Sequence, residues 1–307
     1  MPTEPLYRKY LKPTTVSRLA NMNLRARLVV EGFITGLHRS PYHGFSVEFA
    51  EHRQYMPGDE IRHIDWKVYG KTDRFYVKQF EEETNLKSYL LIDQSASMGI
   101  AHEGRVSKFQ YASYLAAALS YLMIHQRDAV GLTLFNEKIT RHLPPRSVMS
   151  YLSVLLGELE NAKVSGSANW ATSLPHVAEQ IKRRGLVILL SDFMPRDLDT
   201  DPKQILTGLK HFRHRHHEVL VLQVLDPLDY RFDFRDDAIF EDVESGVTLP
   251  TQPHHIRAAV QKEIDEYLDW FKRQCRENNI DYQLLDTSMD FDQGLLQFLL
   301  KRKRMNG

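Results

Sequence analysis

Gly185-Leu-Val-Ile-Leu-Leu-Ser-Asp192 (GLVILLSD) is the stretch of sequence that decides the fold. Its five consecutive apolar residues stand between a glycine and a polar pair. A short, unbroken apolar run is typical of a strand that is buried on both faces of a parallel sheet. Because helices must cover both faces of such a sheet, strands and helices are expected to alternate along the rest of the chain.

The flanking sequence supplies this alternation and predicts a doubly wound α/β fold with a mostly parallel, Rossmann-like sheet. Apolar and β-branched runs predict strands at 86–92, 129–135, 186–190, 218–225 and 280–285. Apolar residues at helical spacing predict helices at 106–126, 147–160, 170–183, 202–212, 254–277 and 295–301.

The chain divides into three predicted parts. Residues 1–39 form an N-terminal helical arm, and residues 40–84 form a β-rich segment punctuated by Gly and Pro. Residues 85–307 form the α/β domain. Within that domain, a hairpin around Glu244-Ser245-Gly246 is predicted as an insertion at about 226–251.

Composition excludes several classes of protein. Lys and Arg number 40 and Asp and Glu number 40, so the chain lacks the positive excess of a general nucleic-acid binder. Its single cysteine, Cys275, excludes an intrachain disulfide and a cysteine-built metal cluster. No apolar run approaches the roughly 20 residues of a membrane span, and no signal peptide is recognisable. We therefore expect a cytoplasmic protein.

Polar residues follow two of the predicted strands. Asp93-Gln-Ser95-Ala-Ser97 (DQSAS) ends the first strand, and Ser191-Asp192 ends the central one. Ligands of open parallel sheets bind beyond the carboxyl ends of the strands. Carboxylate and hydroxyl oxygens without His or Cys favour a hard cation such as Mg²⁺. The alternative is that Asp93 and the serines only cap a helix or shape a turn.

DQSASM after a strand, with LLSDF later, resembles the metal-ion-dependent adhesion site (MIDAS) of von Willebrand factor type A domains. The upstream sequence resembles the hallmark of bacterial proteins grouped as domain of unknown function 58. The motif residues are Arg53, Tyr55, Pro57, Gly58, Asp59, Arg62, Asp65, Trp66, Lys78 and Glu81. The sequences HRSPYHG at 38–44 and VLDP at 224–227 also fit this family.

The resemblance implies metal ligands at Asp93, Ser95, Ser97 and Asp192, together with a threonine from a later loop. The sequence has Ala168 at the position of that threonine, and alanine offers no oxygen ligand. Ser167 and Thr172 are the candidate substitutes. The implied cofactor is Mg²⁺, with Mn²⁺ or Ca²⁺ as alternatives, and the substitution predicts weakened or lost binding.

The motif segment has two interpretations. In the structural one, which we favour, Pro57-Gly58-Asp59 forms a turn and Arg62, Asp65 and Lys78 form ion pairs, while Trp66 and Phe80 pack beneath. In the other, the segment from Arg53 to Glu81 is a surface that binds a partner.

These observations predict a non-enzymatic protein-interaction module. By resemblance, its partner is a MoxR-type AAA+ ATPase that acts with it on an unidentified client in protein assembly or maturation. One alternative is a metal-dependent hydrolase or phosphotransferase that uses the same acidic strand ends, for which His102 is the only base near DQSASM. The other is a scaffold with a vestigial metal site.

Overall fold

A computed structural model describes residues 12–37, 52–54, 66, 69–70, 73–78, 86–102, 104–195, 202–234, 237–241 and 246–306. A six-stranded sheet forms the centre of the described chain. Its strands are β3 (Lys87–Asp93), β4 (Ala129–Phe135), β5 (Ile139–Arg146), β6 (Leu186–Ser191), β7 (Glu218–Leu225) and β10 (Asp281–Asp286). Their spatial order is β10-β7-β6-β3-β4-β5, and only the pairing of β4 with β5 is antiparallel.

Helices cover both faces of this sheet. On one face, Leu90 and Ile92 of β3 belong to a core shared with helices α2 (Met22–Leu37), α3 (Lys108–His125), α4 (Met149–Asn161) and α9 (Asp292–Asn306). On the other face, Tyr89 and Leu91 pack with α5 (Trp170–Gln180), α6 (Lys203–His214) and α8 (Pro253–Glu277). This alternation along β3 follows from the two-residue period of a strand. The predicted doubly wound α/β fold is confirmed.

Two small antiparallel sheets lie outside the main one. β1 (His52–Gln54) pairs with β2 (Tyr76–Lys78), which places Arg53 opposite Val77. β8 (Ala238–Glu241) pairs with β9 (Thr248–Thr251) and forms the predicted hairpin. The short helix α7 (Pro227–Arg231) separates β7 from this hairpin.

The N-terminal helical stretch is interrupted. Helix α1 (Pro13–Val16) is a single turn, and α2 follows it after a bend. Ala26, Val29, Val30 and Phe33 of α2 are buried in the same core as α3. Among the described residues, no helix is long and apolar enough to cross a membrane.

The edge strand β5 was not predicted from the sequence. Pro144 and Pro145 lie within it, and proline normally indicates a break in a central strand. At a sheet edge, however, proline is tolerated where its nitrogen faces solvent or where the strand bulges, and the pairing of β5 with β4 has a register shift between Val130 and Leu132. Gly131 of β4 permits the close approach of this strand, because a Cβ there would lie 2.8 Å from the Leu143 carbonyl oxygen.

Candidate functional site: a polar cluster at the strand ends

At the carboxyl edge of the sheet, each of four neighbouring strands either ends in an aspartate or is followed directly by one. In spatial order from β10 to β3, these residues are Asp286, Asp226, Asp192 and Asp93. All four are buried, with at most 2% of their surface exposed. Buried carboxylates require hydrogen bonds or cations, so the partners of each one indicate what it does.

Asp93 is held by its neighbours in the sequence and on the adjacent strand. Its Oδ1 accepts a hydrogen bond from the Ser95 backbone N–H at 2.8 Å, and its Oδ2 accepts one from the Ser191 hydroxyl at 2.7 Å. Burial and the negative charge of Asp192 raise the pKa of Asp93 to about 6, although these hydrogen bonds oppose the shift. A buried carboxylate next to a second negative charge is a place where a cation would be stabilised.

The serine hydroxyls of the DQSAS turn lie next to each other. Ser95 Oγ and Ser97 Oγ are 3.1 Å apart. Neighbouring oxygens around Mg²⁺ are separated by about 3 Å when each lies at its usual distance from the ion. The one-residue spacing in the sequence therefore brings the two hydroxyls together, as the resemblance to an adhesion site implies.

The two carboxylate oxygens of Asp192 differ in their protein partners. Its Oδ2 accepts a hydrogen bond from Lys108 Nζ at 2.9 Å. Its Oδ1 is buried and has no hydrogen-bond partner within the described part of the chain. An unsatisfied buried acceptor is costly, by about 1–3 kcal/mol, so a bound cation or an ordered water would stabilise this oxygen.

Lys108 was missed by the sequence analysis. It begins α3 directly after the N-cap Ser107, and only 4% of its surface is exposed. Its ammonium also lies 3.1 Å from Asp229 Oδ2 on α7. Burial would lower the pKa of Lys108, but Asp192 and Asp229 outweigh burial and raise it above its ordinary value. A lysine at the positive end of a buried helix was the available signal, because that position disfavours a cation.

The backbone after β6 is held in a strained conformation. Phe193 has a φ of 46°, which costs a residue other than glycine on the order of 1–3 kcal/mol. Its N–H donates to Ser191 Oγ at 3.1 Å, and its carbonyl accepts a hydrogen bond from the Tyr267 hydroxyl. The Asp192 carbonyl accepts a hydrogen bond from Gln223 Nε2 at 2.6 Å. Ser191, which the sequence analysis placed at this strand end without assigning it as a ligand, thus connects Asp93 to this turn.

The loop after α4 docks against the DQSAS turn through its backbone. The Ser165 N–H donates to the Gln94 carbonyl at 2.8 Å, and the Ala96 N–H donates to the Gly166 carbonyl at the same distance. Gly166 has a φ of 68°, which glycine adopts without strain. This places the loop, from which the resemblance implies a threonine ligand, beside the candidate site.

The two candidate substitutes for that threonine are engaged elsewhere. The Ser167 hydroxyl donates to Glu137 Oε1 at 3.0 Å, and the Thr172 hydroxyl donates to the Asn169 carbonyl at 3.4 Å. Ala168 is partly buried against the apolar core around Trp170. The structure therefore brings Asp93, Ser95, Ser97 and Asp192 together, while Ser167 and Thr172 bond to groups outside this set.

Asp226, the next carboxylate along the edge, is fully partnered. It accepts hydrogen bonds from Arg105 Nη1 at 2.5 Å and from the Thr287 hydroxyl at 2.8 Å. His102 Nε2 lies 3.8 Å from Asp226 Oδ1 and 3.7 Å from Asp229 Oδ1. His102 therefore belongs to this neighbouring cluster.

Most of the upstream motif lies outside the described residues. This applies to Tyr55, Pro57, Gly58, Asp59, Arg62, Asp65, Phe80 and Glu81, and to the side chains of Arg53 and Lys78. The packing predicted for Trp66 is wrong: its ring is 58% exposed and makes edge contacts with Tyr69 and Phe75. A tryptophan in a sequence usually indicates burial, but edge contacts with neighbouring aromatic rings can also cover part of its apolar surface.

Fold and site together define a doubly wound α/β protein with a buried, oxygen-rich site at its central strand ends. The chain belongs to the family described as "Protein of unknown function DUF58", whose pattern matches residues 51–267. It is 27% identical over 238 residues to uncharacterized proteins of Mycobacterium tuberculosis and Mycobacterium bovis. Each match covers 76% of this chain and 73% of the relative.

Several solved structures are similar to parts of this chain. BatB from Bacteroides thetaiotaomicron is 16% identical with a TM-score of 0.46, and the match covers 72% of this chain and 98% of that one. An aerotolerance-related membrane protein from Bacteroides fragilis is 19% identical with a TM-score of 0.43, covering 70% and 99%. The SpRpn10 VWA domain is 10% identical with a TM-score of 0.41, covering 70% and 95%.

Proposed function

We propose that this protein is a non-enzymatic interaction module that binds Mg²⁺ at its strand ends and, through the ion, an acidic side chain of a partner protein. The observation that carries this proposal is the unpartnered, buried Oδ1 of Asp192 beside the ionisable carboxyl group of Asp93. A cation would stabilise both groups.

The residues present fit a hard cation. Asp93, Asp192 and the paired hydroxyls of Ser95 and Ser97 would hold it, since all of them offer oxygen ligands. Among the described residues, no three His, Cys, Asp or Glu side chains converge on a metal site. Two carboxylates formally neutralise a divalent ion, but with the neutral hydroxyls they leave coordination positions open, and an incoming carboxylate oxygen would bind there.

Metal binding is testable by thermal melting with EDTA and with millimolar Mg²⁺ or Mn²⁺. We expect the wild type to gain several degrees, because a ligand at about 100 times its dissociation constant adds about 2.7 kcal/mol. Ser97→Ala should weaken metal binding about tenfold or more. Ser153→Ala removes an exposed hydroxyl on α4 and should respond like the wild type. Absence of any metal response in the wild type would contradict the proposal.

The partner we propose is a MoxR-type AAA+ ATPase, with which the protein would act on an unidentified client. The family resemblance supports this choice, and the charge of a metal-loaded site suits an acidic residue on the ATPase. Purified ATPase should bind immobilised wild type in Mg²⁺ and be released by EDTA. Binding that persists in EDTA, or that Ser97→Ala leaves unchanged, would place the contact elsewhere on this protein.

A vestigial site is the second candidate, and a specific observation favours it. The Ser167 and Thr172 hydroxyls bond to Glu137 and Asn169, and Ala168 supplies no ligand. In that case the fold alone would present the interaction surface. The same melting experiment separates the two candidates, because a vestigial site predicts equal melting temperatures in EDTA and in Mg²⁺.

The hydrolase alternative has weaker support from the geometry. Its candidate base, His102, lies with Asp226 and Asp229. General base catalysis would require it within hydrogen-bond reach of a nucleophile at the ion. Metal-dependent turnover of a simple phosphoester that is lost in Asp93→Asn would nevertheless establish this alternative.

A further inference from the structure

Lys108 places a permanent positive charge inside the candidate metal site. Its ammonium is 2.9 Å from Asp192 Oδ2 and 3.1 Å from Asp229 Oδ2. The side chain is 4% exposed, so the charge is shielded little by solvent. The other oxygen of Asp192, Oδ1, remains without a partner in the described chain. One oxygen of this carboxylate is therefore paired with an internal cation, and the other accepts no hydrogen bond from the described chain.

We infer that Lys108 is a specificity-determining residue of the strand-end site, a built-in cation that weakens divalent-metal binding and keeps the loaded site more attractive to an acidic ligand. This inference rests on the proposed function. It adds that the site competes with its own lysine for Asp192. Lys108 would thus lower the affinity for the metal and raise the affinity of the loaded site for the partner's carboxylate.

The argument for weaker metal binding is one of charge. Affinity for a hard cation increases with the negative charge of its ligand set. Removal of the ammonium leaves the carboxylates at the site one charge more negative and frees Asp192 Oδ2 for the ion. Lys108→Met should therefore bind Mg²⁺ or Mn²⁺ at least tenfold more tightly than the wild type.

The argument for the acidic ligand has the opposite sign. A loaded site that has lost Lys108 is one charge less positive, so it attracts an anion less strongly. Acetate, used as a small carboxylate probe on Mn²⁺-loaded protein, should bind Lys108→Met more weakly than the wild type. A lysine with a merely structural role would not move these two affinities in opposite directions.

Lys108→Met should also be destabilised in EDTA and rescued by metal. Without its ammonium, Asp192 and Asp229 are left as buried or partly buried charges that lack this cation. Mg²⁺ would relieve Asp192, so the metal-induced rise in melting temperature should exceed that of the wild type. Each tenfold gain in affinity adds about 3 °C at saturating metal.

The other edge of the sheet offers a matched control. Lys301 is also buried and also bridges two carboxylates, with its Nζ at 2.6 Å from Glu218 Oε2 and 2.7 Å from Asp281 Oδ2. Lys301→Met should therefore lose stability in EDTA but show no more response to Mg²⁺ than the wild type. Lys108→Arg keeps the charge and should bind metal as the wild type does.

The closing experiment measures the Mg²⁺ and Mn²⁺ affinities of the wild type, Lys108→Met, Lys108→Arg and Lys301→Met. The double variant Lys108→Met/Asp229→Asn is added because it removes one carboxylate with the lysine and so keeps the charge balance if Lys108→Met does not fold. At least tenfold tighter binding in Lys108→Met supports the inference, and so does a smaller gain in the double variant, where only the release of Asp192 Oδ2 acts, provided that Lys301→Met is unchanged.

Two other results would overturn it in different ways. If the wild type binds metal and the Lys108→Met proteins bind it equally or less tightly, the role of Lys108 is wrong while the proposed function stands. If none of the proteins responds to Mg²⁺ or Mn²⁺, the metal site itself is absent and both proposals fail. Rescue of Lys301→Met to the same extent would show a nonspecific effect of the metal.

Discussion

At the amino edge of the sheet, the acidic residues that begin β7 and β10 are neutralised by basic side chains. Lys301 lies between Glu218 and Asp281, Arg213 Nη1 lies 3.0 Å from Glu218, and Arg304 Nη2 lies 2.9 Å from Asp281. At the carboxyl edge, Lys108 is paired with Asp192, and Asp93 accepts hydrogen bonds only from uncharged groups of the described chain.

The pKa values of Glu218 at the amino edge and Asp93 at the carboxyl edge are shifted in opposite directions. Burial opposes ionisation of Glu218, but Lys301 and Arg213 outweigh burial and lower its pKa below the ordinary value. Burial and Asp192 raise the pKa of Asp93 to about 6. The acidic groups of the amino edge are therefore paired with cations that stabilise the fold. At the carboxyl edge, by contrast, the ionised form of Asp93 lowers the stability of the fold. Such a cost is typical of sites that bind a ligand.

The largest expected effect comes from removing the ion pairs that Lys301 makes at the amino edge. Lys301→Met removes the cation between Glu218 and Asp281, and loss of one partner from a buried ion pair costs about 3–5 kcal/mol. We expect a fall in melting temperature of roughly 6 °C or more. Lys272→Met, on an exposed position of α8, is the control and should shift it little. Equal small shifts would show that Arg213 and Arg304 suffice to hold this edge.

Asp93→Asn should have the opposite sign. At pH 7 and in EDTA it removes a charge that the native state disfavours, so the variant should be more stable by the order of 2 kcal/mol. It should also lose its response to Mg²⁺. Chemical denaturation with and without EDTA measures both effects, with Asp265→Asn as an exposed control on α8. Destabilisation in EDTA would instead indicate that Asp93 has a structural role.

The two edges should also respond oppositely to pH. The native state binds the Asp93 proton more tightly than the unfolded chain does, since the pKa rises from 3.8 to about 6. Native protein therefore holds more protons in this window, and Asp93 makes the free energy of unfolding fall as pH rises from about 4 to 6. Glu218, with its lowered pKa, contributes stability above its ordinary pKa of 4.5 that is lost as pH falls.

Denaturation in EDTA between pH 3 and pH 7 tests this difference. The stability of the wild type relative to Asp93→Asn should decrease with rising pH by about 1 kcal/mol per pH unit between pH 4 and 6. Its stability relative to Glu218→Gln should increase with rising pH near and below pH 4.5. If the free energies of unfolding of the wild type and Asp93→Asn changed with pH in parallel, the predicted difference between the two edges would be wrong.

The sequence predicted the sheet better than the contacts at its edges. Strands at 129–135 and 218–225 have the predicted bounds, because buried parallel strands are continuous apolar runs. The same runs predicted that Asp93 and Asp192 lie at the carboxyl ends of buried strands, which is where the structure has them. Lys108 was not predicted at this site, because its partner Asp192 is 84 positions away in the chain. No local pattern encodes a contact of that range.

Lys301 illustrates the same limit at the opposite edge. In the sequence it begins the basic run KRKR at the C-terminal end of the chain, which is typical of a solvated tail. The structure places its side chain at 8% exposure between two carboxylates. Its partners begin two neighbouring strands, so only the strand order reveals the interaction.

The smallest expected effect concerns hydrogen bonds between uncharged groups that hold the carboxyl edge in place. The Tyr282 hydroxyl donates to Gln223 Oε1 at 2.7 Å, and Gln223 Nε2 donates to the Asp192 carbonyl at 2.6 Å. Tyr282→Phe leaves a buried amide oxygen without this donor, which should cost about 1 kcal/mol. Tyr121→Phe, near the C-terminal end of α3, is the control.

Metal affinity decides what this chain of hydrogen bonds does. If it fixes the turn that carries Asp192, Tyr282→Phe should weaken Mg²⁺ binding severalfold in addition to its effect on stability. The reason is that a ligand set gains affinity when its members are already held in place. A stability loss with unchanged metal affinity would assign Tyr282 and Gln223 to the core alone, and the rigidity of the turn would then rest on Ser191, Phe193 and Tyr267.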